Sequence, residues 1–213
     1  MTPGPILGVL LAGGGSRRMG GGDKCLRTLG GETILARIVA RAAPQVDRLI
    51  LNANGDAARF GDGRFGDFRL PVVPDSVPGQ AGPLAGVLTG IEWARDNFPG
   101  CGWVASFASD APFMPENLVE KLVDAVSEGG AEMACASSNG RAHPVFGLWP
   151  VRLAADLRHA LVAEDIRKVD AWTARYHIAQ VDYPVVEVDP FFNVNRPDDL
   201  AVAESLMDRP AVT

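Results

Sequence analysis

Six glycines and three cationic side chains lie in one short stretch near the start of the chain. The glycines occupy positions 13–15 and 20–22, and Arg17, Arg18 and Lys24 lie between or just after them. Glycine lets backbone N–H groups approach a ligand without a Cβ atom in the way, and arginine and lysine neutralise anionic oxygens. The stretch therefore predicts a polyphosphate-binding loop. A flexible linker between two elements is the alternative.

Two common phosphate-binding patterns do not fit this loop. A P-loop requires glycine before its lysine and serine or threonine after it, whereas Lys24 follows Asp23 and precedes Cys25. The dinucleotide fingerprint that starts at Gly13 requires a glycine at position 18, where Arg18 stands. Both patterns are therefore excluded.

The loop follows a continuous apolar run at 6–12, which is typical of a strand buried on both faces. We predict further strands at 48–52, 70–74, 103–108, 131–136, 145–149 and 178–183. We predict helices at 33–43, 84–97, 115–127 and 197–207, and one more in the C-terminal third. Repeated alternation of strand and helix indicates an α/β fold, in which a mostly parallel sheet carries helices on both faces. Such sheets bind ligands at the carboxyl ends of their strands, where the glycine loop begins.

Length and charge limit the classes of protein to consider. The 213 residues suit a single domain, 1–213, and the sequence shows no repeat or linker. The net charge of −6 argues against a nucleic-acid partner, although residues 1–50 hold seven basic and only three acidic side chains. The three cysteines form no C-x-x-C pair, and no apolar run is long enough to span a membrane. We expect a cytoplasmic protein that binds neither nucleic acid nor membrane.

Several motifs together resemble one family. They are Leu-Ala-Gly-Gly at 11–14 with Arg18 and Asp23-Lys24, Asn52-Ala-Asn54, Asp75-Ser76, Gly-Pro-Leu-Ala-Gly at 82–86, Asp110-Ala-Pro-Phe113 and Phe-Asn-Val-Asn-Arg-Pro-Asp-Asp-Leu at 192–200. In this order they resemble the motifs of the molybdenum cofactor guanylyltransferases, which are nucleotidyltransferases with a Rossmann-like three-layer sandwich fold. The resemblance implies an enzyme that transfers GMP from GTP to molybdopterin, releases pyrophosphate and uses Mg²⁺. It also implies protein partners that deliver the cofactor or mature molybdoenzymes.

The resemblance implies three catalytic residues. Lys24 and Arg18 would neutralise the β- and γ-phosphates of the nucleotide, because arginine binds two oxygens at once and lysine acts as a point charge. Asp110 would hold Mg²⁺, a hard cation that takes one or two carboxylates together with phosphate oxygens. As it directly precedes Ala111-Pro112, a turn or helix-capping role is the alternative.

The resemblance also implies which residues bind the nucleotide. They are Leu11, Ala12, Gly13, Lys24, Asn52, Asp75 and Asp110. The carboxylate of Asp75 is able to accept the N1–H and N2–H₂ groups of guanine, whereas cytosine shows no such pair of donors. An ordinary turn at the end of a strand remains the alternative for Asp75.

For the acceptor substrate the candidate residues are His143, Asn193 and Asn195. We expect His143 in a turn before a strand, where loop residues often carry function. Asn193 and Asn195 share one face of an extended segment, and their amides could bind the edges of a pterin. The alternative is that they cap the helix that starts at Pro197.

Two other functions remain as alternatives. One is a related nucleotidyltransferase that uses CTP on molybdopterin or acts on a sugar phosphate. The other is a non-catalytic adaptor that binds GTP or molybdopterin. Leu-Ala-Gly-Gly, instead of the Leu-Ala-Ala-Gly of cytidylyl relatives, favours guanylyl transfer by resemblance.

Overall fold

A seven-stranded sheet forms the centre of the computed structural model, which describes residues 4–12, 23–79 and 82–207. Its strands are β1 (Ile6–Leu11), β2 (Arg48–Asn52), β3 (Val72–Val73), β4 (Trp103–Ala108), β5 (Met133–Ser138), β6 (Arg141–Pro150) and β7 (Ile178–Asp182). They lie side by side in the order β7-β5-β6-β4-β1-β2-β3. Of these strands, β6 runs antiparallel to both of its neighbours, and the other pairings are parallel. The predicted mostly parallel sheet is therefore confirmed.

Six α-helices cover the two faces of the sheet in the described residues. They are α1 (Ile34–Ala42), α2 (Pro83–Asn97), α3 (Leu118–Gly129), α4 (Ala154–Val162), α5 (Val169–Thr173) and α6 (Pro197–Met207). Helices α1, α3 and α6 pack into one buried apolar cluster, and α2, α4 and α5 pack into a second cluster on the opposite face. None of the helices in this part of the chain is long and apolar enough to cross a membrane.

Strand β1 contributes to both clusters, which explains its uninterrupted apolar sequence. Ile6 and Leu10 belong to the cluster beneath α1, and Leu7 and Val9 belong to the cluster beneath α2. Successive side chains of a strand point to opposite faces, so a strand covered on both sides buries every position. This burial fixes the carboxyl end of β1, where the glycine loop begins.

Helix α2 comes unusually close to β1 and β2. A Cβ atom placed on Gly86 would lie 2.4 Å from Asn52 Oδ1 and 2.6 Å from Leu11 Cδ2. Glycine at this position therefore allows α2 to pack directly behind the ends of the two strands. The helix itself begins with Pro83 in its first turn, which proline favours because it needs no N–H partner there.

Four predicted elements were wrong in their bounds by two residues or more. Strand β3 is Val72–Val73, not 70–74, and β5 is Met133–Ser138, not 131–136. Helix α3 begins at Leu118, not at 115, and β6 begins at Arg141, not at 145. His143 therefore lies within a strand, and the predicted turn is instead the hairpin connection Asn139-Gly140, whose φ angles are 48° and 70°. Asn-Gly is a strong signal for a two-residue hairpin, but the proline at 144 suggested that the strand started later. That proline lies where the pairing of β6 with β5 changes register, between His143 and Gly147.

Candidate active site

A cavity of about 750 Å³ opens at the edge of the sheet where β1, β2 and β4 end. Because β6 is antiparallel, its first residues, not its last, face the same cavity. The predicted site residues that line it are Leu11, Ala12, Lys24, Asn52, Asp75, Asp110, His143 and Asn193. Gly13, Arg17 and Arg18, which the sequence placed in the phosphate loop, lie outside the described residues.

Lys24 and Asp110 line the cavity and meet there with Asn195, which lies outside its lining, although the three residues are far apart in sequence. Lys24 Nζ donates to Asp110 Oδ2 at 2.8 Å and to Asn195 Oδ1 at 2.7 Å. Lys24 opens a short 3₁₀ helix, Asp110 follows β4, and Asn195 precedes α6. The side chains of Lys24 and Asp110 are 23% and 21% exposed, so an anionic ligand or a cation can reach both.

Asp110 keeps one carboxylate oxygen available. Its Oδ2 accepts from Lys24, whereas Oδ1 has no hydrogen-bond partner among the described residues. Its backbone oxygen accepts from Val194 at 2.8 Å, which ties the end of β4 to the segment before α6. Because α3 begins only at Leu118, Asp110 does not cap that helix.

The arrangement fits a magnesium ion that arrives with a nucleotide. In the described part of the chain, no group of three or more histidine, cysteine, aspartate or glutamate side chains could hold a metal alone. Mg²⁺ is usually bound by one or two carboxylates together with substrate phosphates and water, and does not need a complete protein cage. One accessible carboxylate beside a lysine therefore suits a metal–phosphate complex.

On the side of the cavity near β3, two asparagines hold Asp75. Asn52 Nδ2 donates to Asp75 Oδ1 at 2.9 Å and to the oxygen of Val73 at 3.2 Å. Asn54 Nδ2 donates to Asp75 Oδ2 at 2.7 Å, and Asp75 N donates back to Asn54 Oδ1 at 2.8 Å. A carboxylate offers about four acceptor positions. Asp75 is thus oriented by the chain and still has lone pairs for a ligand.

Asn54 and Arg141 also line the cavity but were not among the predicted site residues. Asn54 is two positions beyond Asn52, a spacing that places both side chains on one face of an extended segment. Arg141 precedes His143 by two positions in β6, and it forms no ion pair with any described residue. In both cases the spacing of two positions from a predicted site residue could have identified the additional residue from the sequence.

His143 is held by neighbours from two other segments. Its Nε2 lies 2.7 Å from Ser138 Oγ, and Ser138 Oγ lies 3.0 Å from Asp189 Oδ1. The ring of Phe191 packs against the imidazole at a centroid distance of 4.6 Å. Burial, and then the charge of Arg141, lower the pKa of His143, whereas the charge of Asp189 opposes this shift. The net shift favours the neutral imidazole.

The capping alternative for the two asparagines is not what the structure shows. The backbone N–H groups of Asn195 and Arg196 donate to Asp199 Oδ2 at 2.8 Å each, so Asp199 satisfies the start of α6. The amide of Asn195 is thereby left to contact Lys24, and Asn193 lines the cavity.

The two neighbours of Lys24 in sequence, Asp23 and Cys25, also line the cavity, but neither is available for the chemistry proposed for Lys24. Arg59 forms an ion pair with Asp23, which offsets the negative charge that Asp23 brings to the cavity wall. Cys25 is buried, and burial together with the charge of Asp23 raises the pKa of its thiol to about 12. Since the thiolate is the nucleophilic form, Cys25 is not a nucleophile at neutral pH.

Comparisons with known proteins agree with this geometry. The sequence-family model described as the MobA-like NTP transferase domain matches residues 8–180 of this chain. A molybdenum cofactor guanylyltransferase from Bradyrhizobium sp. (strain ORS 278) is 54% identical over 201 residues, which are 94% of this chain and 92% of that protein. Another with the same name, from Nitrobacter hamburgensis, is 54% identical over 202 residues, covering 95% and 94%.

The fold is also found in a solved structure. The crystal structure of molybdopterin-guanine dinucleotide biosynthesis protein A from Archaeoglobus fulgidus superposes with a TM-score of 0.71, at 21% identity, over 94% of this chain and 98% of that chain. This likeness shows the Rossmann-like fold. The model match and the identity over nearly the whole length show that the chain belongs to the MobA-like NTP transferase family, with molybdenum cofactor guanylyltransferases as its relatives.

Proposed function

We propose that this protein transfers GMP from GTP to the terminal phosphate of molybdopterin, with Mg²⁺, and releases pyrophosphate. The observation that carries the proposal is the contact of Lys24 with Asp110 and Asn195 in a cavity that Asp75 also lines. A cation with a metal-competent carboxylate suits a triphosphate, and an oriented carboxylate suits a guanine base. The names of the relatives support the same reaction.

Guanine is recognised at the side of the cavity that Asp75 lines. The carboxylate accepts N1–H and N2–H₂ of the base through the lone pairs that Asn52 and Asn54 leave available. Backbone groups of Leu11 and Ala12, at the carboxyl end of β1, lie along the same wall. Cytosine lacks the paired donors, so this side of the cavity favours GTP over CTP.

The triphosphate lies toward Lys24. Lys24 neutralises charge that develops on the leaving pyrophosphate, and Arg18 and the backbone of Gly13 add to this from the glycine loop. Asp110 would hold Mg²⁺, which would supply charge neutralisation and orientation of the phosphates.

The acceptor phosphate lies at the start of β6. A phosphate monoester has a second pKa near ~6, so at pH 7 it is largely dianionic and needs no general base. One of its oxygens attacks the α-phosphorus in line, forming a new P–O bond while the bond to the bridging oxygen of pyrophosphate breaks. Arg141, a cavity-lining guanidinium with no described ion-pair partner, is placed to bind the acceptor phosphate. His143, Asn193 and Asn195 contact the rest of the acceptor.

One assay separates this function from its alternatives. Purified protein is incubated with Mg²⁺, molybdopterin and each nucleoside triphosphate in turn, while pyrophosphate and the dinucleotide product are followed. Turnover with GTP supports the proposal, and turnover with CTP alone contradicts it. Binding of GTP without turnover in any mixture would identify an adaptor instead.

Domain organisation and location belong to the same proposal. Two apolar clusters share one sheet, which supports a single domain over 1–213, tested by a single cooperative unfolding transition. Cys25, Cys101 and Cys135 are free thiols, which supports a cytoplasmic location, tested by cell fractionation. Proteins that deliver the cofactor or mature molybdoenzymes remain predicted partners, which co-purification would identify.

A further inference from the structure

Three side chains form a hydrogen-bonded series that ends at the acceptor side of the cavity. Asp189 lies in the connection between β7 and α6, Ser138 ends β5, and His143 lies in β6. Ser138 Oγ donates to Asp189 Oδ1 at 3.0 Å and lies 2.7 Å from His143 Nε2. Ser138 is only 1% exposed, so water does not compete for its single hydroxyl proton.

The positions of the protons follow from the donors available. An ionised carboxylate only accepts hydrogen bonds, so the hydroxyl proton of Ser138 points to Asp189. The contact between Ser138 and His143 is then a hydrogen bond only if Nε2 carries a proton and donates it. In the neutral imidazole, Nδ1 is therefore the nitrogen without a proton. Nδ1 has no hydrogen-bond partner among the described residues, and His143 lines the cavity.

Both ends of the series are held in place. The backbone N–H of Phe191 donates to the same Asp189 oxygen at 2.9 Å, which fixes the carboxylate relative to Ser138. The ring of Phe191 packs on the imidazole with the two planes inclined by 32°. The plane of the histidine ring and the position of the Asp189 carboxylate are thus fixed before any ligand enters.

We propose that Ser138 and Asp189 are positioning residues that hold His143 as its Nε2–H tautomer, so that Nδ1 accepts a hydrogen bond from an N–H group of the acceptor's pterin ring. The inference rests on the proposed function, because that function supplies the pterin substrate. A lone pair at this point attracts N–H donors and repels phosphate oxygens. We therefore assign the phosphate of the acceptor to Arg141 and the pterin ring of the acceptor to His143.

The tautomer is measured on the free protein by NMR of ¹⁵N-labelled imidazole rings. The chain has three histidines, and loss of one set of signals in His143→Gln assigns the set of His143. Above the pKa of His143 we expect a protonated Nε2 and an unprotonated Nδ1. In Asp189→Ala, Ser138 is free to donate to Nε2, so the population shifts toward the Nδ1–H form.

Asp189→Asn is the matched control. The N–H of Phe191 directs the amide oxygen of asparagine to the position of Oδ1, where it still accepts from Ser138, so the wild-type tautomer is kept. A wild-type protein with Nδ1 protonated overturns the proposal, as does an Asp189→Ala protein with an unchanged tautomer.

Steady-state kinetics then tests the role in acceptor binding. Loss of one such hydrogen bond raises the KM for molybdopterin about tenfold in both Ser138→Ala and Asp189→Ala, with the KM for GTP and kcat nearly unchanged. Thermal melting verifies that each variant is folded. If Ser138→Ala does not fold, the test is the comparison of KM for molybdopterin between Asp189→Ala and its control Asp189→Asn. An unchanged KM for molybdopterin in a folded Asp189→Ala overturns the proposal.

The two proposals fail in different ways. A wild-type protein that joins no nucleotide to molybdopterin contradicts the proposed function. In that case neopterin is added to the ¹⁵N-labelled protein and the NMR signal of His143 Nδ1 is followed. A change in this signal on addition of neopterin that is not seen in Asp189→Ala supports the pterin contact. The absence of such a change contradicts it.

Discussion

The ammonium group of Lys24 lies 2.8 Å from the carboxylate of Asp110, although the two residues are 86 positions apart in the chain. The cation proposed to bind phosphate and the carboxylate proposed to bind the metal are thus ion-paired with each other in the free protein. Under the proposed function, a metal-bound nucleotide would compete with this contact, because the ligand would bind both side chains.

Replacement of Asp110 by alanine should abolish nucleotidyl transfer and leave the fold intact. Loss of a group that orients metal and phosphates lowers kcat by about a thousandfold or more. Pyrophosphate release measures this, with circular dichroism to verify the fold. Asp124→Asn, an exposed carboxylate on α3, is the control and keeps full activity. Wild-type rates in Asp110→Ala would show that the metal is held elsewhere.

Substitution Asp75→Asn should weaken discrimination for guanine. The new amide brings an N–H₂ group to face the amides of Asn52 and Asn54, and it removes a charged acceptor from the base. A hydrogen bond to a charged group contributes about 1.5–3 kcal/mol, so kcat/KM for GTP should fall about ten- to a hundredfold. Titration calorimetry with GTP measures the change in affinity. Asp62→Asn, outside the cavity, serves as the control, and GTP affinity equal to wild type in Asp75→Asn contradicts this prediction.

Gly86→Ala should damage stability and nucleotide binding together. The added Cβ atom would meet Asn52 Oδ1 at 2.4 Å, so either α2 or the asparagine has to move. Overpacking of this kind costs about 1–3 kcal/mol, measured as the free energy of unfolding in urea. Gly102→Ala is the matched control, since nothing lies within 4 Å of its added Cβ atom. Equal stability of the two variants would mean that α2 packs less closely than described.

Arg141→Gln should raise the KM for molybdopterin about tenfold without changing the KM for GTP. The guanidinium lines the cavity at the start of β6 and has no described ion-pair partner, so its loss affects the acceptor phosphate alone. Initial rates at varied concentrations of each substrate separate the two constants. Arg95→Gln removes an exposed arginine on α2 that pairs with Asp96 and should leave both constants unchanged. An equal increase in both constants for Arg141→Gln would refute a role specific to the acceptor.

Cys25 should resist alkylation by iodoacetamide at pH 8. Its thiol has a pKa of about 12, so about one molecule in ten thousand is the reactive thiolate at that pH. Unfolding in guanidinium lowers the pKa toward the ordinary value of about 8.5, and labelling should then be rapid. Peptide mass spectrometry follows the labelling at each cysteine. Rapid labelling of Cys25 in the native protein would contradict its burial.

The sequence predicted the elements that carry long apolar patterns better than it predicted the contacts between them. The bounds of β2, β4 and α6 are those expected, because burial on both faces or a proline at the helix start marks them clearly. The start of β6 was wrong, since the hairpin signal Asn139-Gly140 was outweighed by the proline at 144. The local hydrophobic pattern thus predicted that the strands exist, but it did not predict the change of register between β5 and β6.

Contacts between elements were also what the sequence could not predict at the candidate active site. Asn52 and Asp75 were found through a family motif, and their contact through Asn52 Nδ2 depends on the pairing of β2 with β3. Ser138 and Asp189 had no signal, because they are 51 residues apart and meet only through tertiary packing. Residue type and spacing indicate what chemistry is available, whereas partners across the sheet require the folded chain.

The reversed direction of β6 has a consequence for how this site can change. The proposed nucleotide side is built from the ends of parallel strands, with α1 in the connection from β1 to β2 and α2 in the connection from β3 to β4. The proposed acceptor side lies on a hairpin arm whose tip, Asn139-Gly140, is an exposed turn. Because the proposed acceptor residues Arg141 and His143 lie on this arm, exchange of the arm would change two acceptor contacts and leave Asn52, Asp75 and Asp110 at their strand ends in place.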